Sequence, residues 1–341
     1  MHSAIAERTV ARAATSTHSI RKRRTKLPQC AEASEARLDG CLDSSTPLQA
    51  GPIVLDGGLA TELERQGADL SSALWSARLL VDDPAAIMAA HREFFAAGAQ
   101  VAISASYRVS LTGFTDLGVD GEAMLHRSVE LARAATDGVA NRWVAASIGP
   151  YGAVLADGSE YRGDYRVSVA ELRRFHRPRI LALAASGADV LAVETIPCLA
   201  EVEAVLAELD AIDTPAWLSL SCSGTRTRAG EPASEAFVMA RDCDAVIAVG
   251  VNCVDPADAL TLVQLARSAS GKPVVVYPNS GETWDASRRR WTGESAFDQA
   301  DVRAWIDAGA RLVGGCCRVT PSDIQRLRAS LLPAIERVRR P

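Results

Sequence analysis

Residues 169–194 read VAELRRFHRPRILALAASGADVLAVE. Val169–Ala185 is a stretch of helical character, Gly187-Ala188 breaks it, and Val190–Glu194 is a short apolar run that ends on a carboxylate. Glycine suits the left-handed backbone that closes a helix. A continuous apolar run bounded by such a break suits a strand buried on both faces. The unit is a helix that delivers the chain into a parallel strand.

The same unit recurs in both directions. Apolar runs occur at Ile53–Asp56, Val101–Ser104, Trp143–Ile148, Val190–Glu194, Trp217–Ser221, Val246–Val251, Val274–Tyr277 and Leu312–Gly315. Helical stretches such as Pro84–Ala97, Glu122–Ala140, Leu199–Leu209 and Pro256–Ser268 separate them, and Gly98-Ala99 and Gly309-Ala310 repeat the Gly-Ala entry into a strand. Eight strict β-then-α alternations predict a single (β/α)8 TIM-type barrel over residues 51–338, an α/β fold, rather than an open sheet. A nucleotide-binding open sheet has no support, because neither G-x-G-x-x-G nor a Walker A sequence occurs.

A barrel of this kind carries its active site at the C-terminal ends of its strands. Those ends read Asp56-Gly57-Gly58, Ser104-Ala105-Ser106-Tyr107, Gly149-Pro150-Tyr151, Glu194-Thr195, Ser221-Cys222, Asn252-Cys253, Tyr277-Pro278-Asn279 and Cys316-Cys317. They hold two carboxylates and four cysteines, with no histidine or lysine. Cys253 follows the sixth strand, and Cys316 and Cys317 follow the eighth. Three thiolates at one mouth suit Zn2+, which is tetrahedral and takes sulfur ligands, and three protein ligands leave a fourth position open, as in catalytic zinc sites. Vicinal cysteines in a strand point to opposite faces, so Cys316 and Cys317 share a metal only if the chain turns there; Gly314-Gly315 would permit it. Cys198, Cys222 and Cys243 read as core filling. Glu194 ends an otherwise apolar strand, where a carboxylate needs a cationic partner: a substrate ammonium, or an internal arginine. Asp56 is placed to cap the next helix, to bind substrate, or both. His91, His126 and His176 lie in helical stretches and read as surface or packing residues.

The bulk numbers agree with a small-molecule enzyme. The chain has 341 residues, 48% hydrophobic, with net charge −5, which argues against nucleic acid as a partner. No apolar run approaches the ~20 residues that span a bilayer. Eight cysteines in a chain of this length read as free or metal-bound thiols of a reducing, cytoplasmic protein. Residues 1–50 differ: the first thirty carry seven Lys/Arg against one acid, Glu7, and show no sustained periodicity. They read as a disordered basic, Ser-rich extension, dispensable for fold and activity. Organelle import and an upstream start codon are the alternatives.

Taken in order, the segments Leu55-Asp56-Gly57-Gly58-Leu59-Ala60-Thr61-Glu62-Leu63, Leu74-Trp75-Ser76-Ala77, Ser104-Ala105-Ser106-Tyr107, Gly149 through Tyr165, Glu194-Thr195-Ile196-Pro197, Gly250-Val251-Asn252-Cys253, Tyr277-Pro278-Asn279-Ser280-Gly281-Glu282 and Gly314-Gly315-Cys316-Cys317-Arg318 resemble the homocysteine S-methyltransferases. The branch that uses S-methylmethionine is the most similar, and the resemblance covers roughly residues 51–335. It implies zinc on Cys253, Cys316 and Cys317, a homocysteine-binding carboxylate at Glu194, and the strand-one aspartate at Asp56. Gly57, Asn252 and Tyr151, at the same strand ends, are expected to complete the substrate-binding set. Arg108 departs from the pattern, which leads one to expect a neutral residue such as glutamine there.

The implied reaction is methyl transfer from a sulfonium, S-methylmethionine before S-adenosylmethionine, to the thiol of L-homocysteine, giving L-methionine. A coordinating thiol is deprotonated outright. The leaving thioether is neutral and needs no general acid, in keeping with a mouth that lacks His and Lys. Glu194, helped by Asp56, would hold the substrate ammonium; backbone N–H groups near Gly57-Gly58 or Gly315-Cys316 would hold its carboxylate. Tyr151, Tyr161 and Tyr165 could face the methylsulfonium, and Asp157, Glu160 or Asp164 its ammonium. A Schiff-base aldolase is disfavoured: of three lysines, Lys22 and Lys26 lie in the extension and Lys272 precedes the seventh strand, at the wrong face. A non-enzymatic zinc- or thiol-binding barrel is the other rival. A corrinoid-dependent methionine synthase would need further domains.

Overall fold

The computed structural model describes residues 48, 51–72, 74–115, 118–285 and 290–338; the expectations for the first 47 residues lie outside them. Eight parallel strands form one sheet: β1 (Ile53–Val54), β2 (Val101–Ile103), β3 (Trp143–Ile148), β4 (Val190–Ile196), β5 (Ala216–Leu220), β6 (Val246–Asn252), β7 (Val274–Tyr277) and β8 (Ala310–Val313). Their order around the sheet is β1-β8-β7-β6-β5-β4-β3-β2. A parallel bridge between Leu55 and Val101 closes the ring, with Gln100 N–H on Val54 O at 2.7 Å and Asp56 N–H on Val101 O at 3.0 Å.

Each strand leads to an outer helix: α1 (Pro84–Ala96), α2 (Gly121–Ala134), α3 (Val169–Ala185), α4 (Leu199–Leu209), α5 (Ala233–Arg241), α6 (Pro256–Ser270), α7 (Gln299–Asp307) and α8 (Pro321–Val338); shorter helices, Leu59–Arg65 and Leu79–Asp82, Leu111–Thr115, and Tyr151–Leu155, precede α1, α2 and α3. The side chains of Asp83, Asp120, Ser168, Asp255 and Asp298 accept the first backbone N–H groups of α1, α2, α3, α6 and α7, and Ser168 with Glu171 forms a reciprocal capping box. The Gly-Ala junctions behave as expected: Gly98, Gly187 and Gly309 have φ of 102°, 81° and 117°. Helix α2 is shorter than its apolar pattern suggests. It stops at Ala134, and Asp137, Gly138 and Asn141 then adopt left-handed φ, which short polar side chains and glycine tolerate.

The two faces of each strand sort by parity. Val54, Ala102, Val144, Leu191, Val193, Leu218 and Val313 belong to the core between barrel and helices. Ile53, Leu55, Val101, Trp143, Ala145, Val190, Ala192, Trp217, Val275, Tyr277 and Leu312 fill the interior, so the barrel is a packed core rather than a pore. Leu48, which the sequence pattern leaves in the N-terminal extension, is 3% exposed and belongs to this interior cluster. The packed barrel therefore draws on chain before residue 51.

Candidate active site

Parity also builds the site. Continuing the inward face of each strand by two residues reaches Ser147 on β3, Glu194 on β4, Ser219 on β5, Asn252 on β6 and Tyr277 on β7. All are buried. Above them lies a cavity of about 810 Å³ whose lining includes Gly57, Ser147, Glu194, Asn252, Tyr277, Cys253, Cys316 and Cys317. Six of the eight residues expected from sequence thus face one space, and Asp56 adjoins it from beneath Gly57.

Glu194 is 7% exposed and, among the described residues, pairs with no arginine. The Ser147 hydroxyl donates to its Oε1. Tyr277 lines the same cavity and accepts from Trp217 Nε1–H at 3.0 Å. A neutral donor orients the carboxylate without neutralising it. Burial pushes its pKa up to about 7; the Ser147 bond opposes this, and Cys253 adds to it. Asp56, 1% exposed, is also raised well above the usual carboxylate value, first by burial; its bond from Ile103 N–H opposes, and the Glu194 charge adds. Its Oδ2 accepts Ile103 N–H at 2.8 Å, and its Oδ1 has no partner among the described residues. Asp56 does not cap the next helix: Gly58 stands at that N-cap without a side-chain bond. Two buried carboxyls thus stand together with no cationic partner among the described residues.

Cys253, Cys316 and Cys317 bring their sulfurs within 4.8 Å of one another, a group able to hold a metal ion. Cys253 Sγ lies 2.6 Å from Cys316 Sγ and 4.0 Å from Cys317 Sγ. Hydrogen bonds from the other two thiols pull Cys317 well below the usual thiol pKa, while its bond with Cys253 holds Cys316 above it. The backbone that presents them is unusual. Cys253 has φ 50°, and the chain turns at Cys316–Val319, closed by Val319 N–H on Cys316 O at 3.1 Å with Arg318 at φ 68°. Neither Gly314 nor Gly315 has positive φ. They serve close approach instead: a Cβ on Gly314 would meet Leu55 Cβ at 2.6 Å, and one on Gly315 would meet Val319 Cγ1 at 2.2 Å. Asn279 Oδ1 accepts Cys317 N–H at 3.2 Å, and Arg228 Nη2 donates to the Cys253 carbonyl at 3.1 Å.

Asn252 lines the cavity, but its amide is engaged. Its Oδ1 accepts Thr195 N–H and its Nδ2 donates to Thr195 Oγ1, each at 2.7 Å. This clamp holds Thr195 at φ 61°, a conformation costly for a β-branched residue. Asn252 therefore shapes the end of β4 beside Glu194. Of the N–H groups expected to hold the substrate carboxylate, those of Gly58, Gly315 and Cys316 are engaged on the carbonyls of Val319, Asp56 and Pro278, which leaves Gly57, at the cavity wall, to meet that expectation.

Tyr151 does not line the cavity. The chain after Pro150 turns at once into a short helix, Tyr151–Leu155, and the ring packs edge-on against Tyr165 and Phe175 at 5.4 and 5.1 Å. Tyr165 stays outside as well. Tyr161 is the tyrosine of this loop that reaches the cavity, joined by Trp75 and Tyr107, which sequence reasoning passed over as site residues. Of the loop acids, Glu160 lines the cavity and is buried, whereas Asp157 and Asp164 are exposed and lie near Arg162.

The residues read as bystanders are bystanders. His91 and His176 are fully buried in α1 and α3, His176 against Glu201 at 2.7 Å, and His126 is half-buried on α2. Lys272 Nζ donates to the carbonyls of Cys243 and Val246, at the N-terminal end of β6. Burial holds the Cys198 and Cys222 thiols up at about 12, as inert core groups.

Fold and site together define a (β/α)8 barrel with three thiols able to hold a metal ion beside two buried carboxyls. The family model for homocysteine S-methyltransferase matches residues 53–331, and the chain belongs to that family. It is 43% identical over 294 residues to homocysteine S-methyltransferase YbgG of Bacillus subtilis, covering 81% of this chain and 93% of that one. It is 41% identical over 310 residues to a selenocysteine methyltransferase of Astragalus bisulcatus, covering 81% and 92%. Among solved structures, the metallated form of the homocysteine methyltransferase MmuM from Escherichia coli superposes with a TM-score of 0.74 at 40% identity, covering 83% of this chain and 99% of that one.

Proposed function

We propose that the protein transfers a methyl group from a sulfonium donor to the sulfur of L-homocysteine, with Zn2+ on Cys253, Cys316 and Cys317, and that S-methylmethionine is preferred over S-adenosylmethionine. The observation that carries the reading is the convergence of three thiols and an uncompensated buried carboxylate on one cavity. The donor set fits zinc. Sulfurs ~2.3 Å from a tetrahedral ion lie about 3.8 Å apart, close to the Cys253–Cys317 separation of 4.0 Å; the Cys253–Cys316 pair would open to that spacing. Bound there, Zn2+ keeps a substrate thiol deprotonated near neutral pH.

The chain's own residues do the rest. Glu194, oriented by Ser147, takes the homocysteine ammonium with Asp56, and so fixes the substrate sulfur relative to the thiols. The donor's methyl–sulfur bond breaks and its electron pair stays on the leaving sulfur, which becomes a neutral thioether. The new carbon–sulfur bond forms on homocysteine, whose thiol proton has gone to solvent. No group on the protein need donate a proton, and none of the residues lining the cavity is a His or Lys. Tyr161 and Trp75 line the cavity, and each ring already carries a guanidinium, Arg228 at 5.7 Å and Arg108 at 5.3 Å from the ring centre. The substrates are small molecules, and among the described residues no helix is long and apolar enough to cross a membrane. Free thiols at the site suit a reducing, cytoplasmic setting.

The test is metal analysis of the purified protein, followed by initial rates of methionine formation from homocysteine with S-methylmethionine, S-adenosylmethionine and betaine at equal concentration. The expected result is about one zinc per chain and S-methylmethionine fastest. Zinc without turnover on any donor would favour the non-enzymatic binding barrel. Betaine outpacing S-methylmethionine would overturn the donor assignment alone.

A further inference from the structure

Among the described residues, two arginines line the cavity, Arg108 and Arg228. Arg108 pairs with Glu160 at 3.0 Å. Arg228 is half-buried and meets neutral groups instead. Its Nε donates to Ser221 Oγ at 3.0 Å and its Nη2 to the Cys253 carbonyl at 3.1 Å, while the Tyr161 ring centre lies 5.7 Å from its guanidinium carbon. No carboxylate among the described residues pairs with it. Nε–H and one N–H of Nη2 lie along one edge of the planar guanidinium, and Ser221 and Cys253 occupy that edge. The end-on edge, Nη1 with the second N–H of Nη2, matches the two oxygens of a carboxylate. The backbone that presents Arg228 is fixed. Cys222–Ser223 and Arg226–Thr227 pair as an antiparallel hairpin in the loop after β5. Gly224 turns it at φ 54°, with its N–H on Asp258 Oδ2 at 2.9 Å. On either side of Arg228, Thr227 N–H bonds Glu231 O at 2.8 Å and Ala229 N–H bonds Pro197 O at 3.1 Å. An arginine held this way gives up little conformational freedom when a ligand arrives.

We propose that Arg228 is the carboxylate anchor of the methyl donor: its end-on edge takes the α-carboxylate of S-methylmethionine. This rests on the methyl-transfer reading and specifies it. In-line transfer places the two sulfurs on opposite sides of the methyl carbon, so the amino-acid heads of donor and acceptor approach from opposite directions. The acceptor's groups sit at the strand level: Glu194 within β4, and Asp56 and Gly57 just beyond β1. Arg228 sits in the loop layer, well past the end of β5 at Leu220, and β5 stands across the ring from β1. Because the guanidinium bonds the Cys253 backbone, a donor held by its carboxylate has its sulfonium a short carbon chain from the thiols. The charge also discriminates. A guanidinium repels a cation that carries no carboxylate and offsets that repulsion for one that does, so the mouth favours amino-acid sulfoniums over simple ones.

Calorimetric binding of S-methylmethionine and of its carboxamide, S-methylmethioninamide, to the zinc-loaded enzyme reads the contact. The two probes share sulfonium and ammonium and differ in the carboxylate. The wild type is expected to prefer the carboxylate roughly tenfold or more, and Arg228→Gln to reduce that preference to about twofold or less. Arg228→Lys keeps the charge without the fork and should retain an intermediate preference. Homocysteine affinity should hold in both variants, and in the methyl-transfer assay the KM for S-methylmethionine should rise while that for homocysteine does not. A preference measured within one protein is insensitive to general weakening of the site, including any zinc lost through the Cys253 carbonyl contact. Equal weakening of both probes would make Arg228 a brace for Cys253 and overturn the proposal. A wild type indifferent to the carboxylate, or homocysteine weakened in place of the donor, would overturn it too. The two readings fail separately: a wild type that binds S-methylmethionine but forms no methionine from any sulfonium refutes methyl transfer, and one that forms methionine while Arg228→Gln keeps the full preference refutes the anchor alone.

Discussion

Replacing Glu194 by glutamine removes the charge that receives the acceptor ammonium and keeps the shape of the site. The wild-type carboxyl titrates at about 7 because it is buried, so half of it is ionised at neutral pH, and completing the ionisation costs only about 0.4 kcal/mol (RT ln 2). A hydrogen bond to a charged group contributes ~1.5–3 kcal/mol, so the variant should bind homocysteine roughly 10- to 150-fold more weakly. The sign of the pH dependence follows. The anion binds the ammonium, so wild-type affinity rises as pH climbs through about 7 and flattens above it. At pH 6 only about a tenth of the carboxyl is ionised, and affinity should be about tenfold below its plateau. Asp56, raised in the same direction, steepens the fall on the acid side. Calorimetry with L-methionine, whose thioether has no proton to lose, reads the carboxylate rather than the substrate thiol. Glu194→Gln should flatten most of the slope and leave zinc content unchanged. An equal slope in variant and wild type, or loss of zinc with unchanged affinity, would refute the assignment.

Three other outcomes are expected. Cys316→Ser should lose zinc and methyl transfer together, measured by metal analysis and methionine assay; stoichiometric zinc with normal turnover would remove Cys316 from the metal site. His91 is buried with neither ring nitrogen partnered among the described residues, and burial lowers its pKa to about 4. The unfolded chain, at ~6.5, therefore binds the proton first, and stability present above ~6.5 is lost as pH falls toward 4, up to about 3 kcal/mol. Denaturant melts at pH 7 and 4.5 should show this loss in the wild type and a smaller one in His91→Leu. Deleting residues 1–47 should leave the thermal melt and the activity unchanged, whereas deletion through residue 50 removes the buried Leu48 and should cost roughly 2 kcal/mol; equal melts for the two deletions would show that Leu48 contributes no packing energy.

The barrel was legible because its signal is local and repeated: an apolar run, a helix and a Gly-Ala junction recur, and each says the same thing about its neighbours. The thiol cluster was legible because strand ends are fixed by that pattern, and the barrel brings all of them to one face. What was not legible depends on direction or on distant partners. Tyr151 lies at a strand end, yet the helix that starts there turns its ring back onto Phe175 and Tyr165, and the strand-end rule sets height without setting direction. Parity could have placed Ser147 on the inner face, but not its hold on Glu194, 47 residues away on the next strand. Gly314-Gly315 was correctly singled out for the wrong reason, because close packing and left-handed backbone both select glycine and sequence does not distinguish them. Leu48 is a lone leucine in a polar stretch, and one apolar residue carries no period.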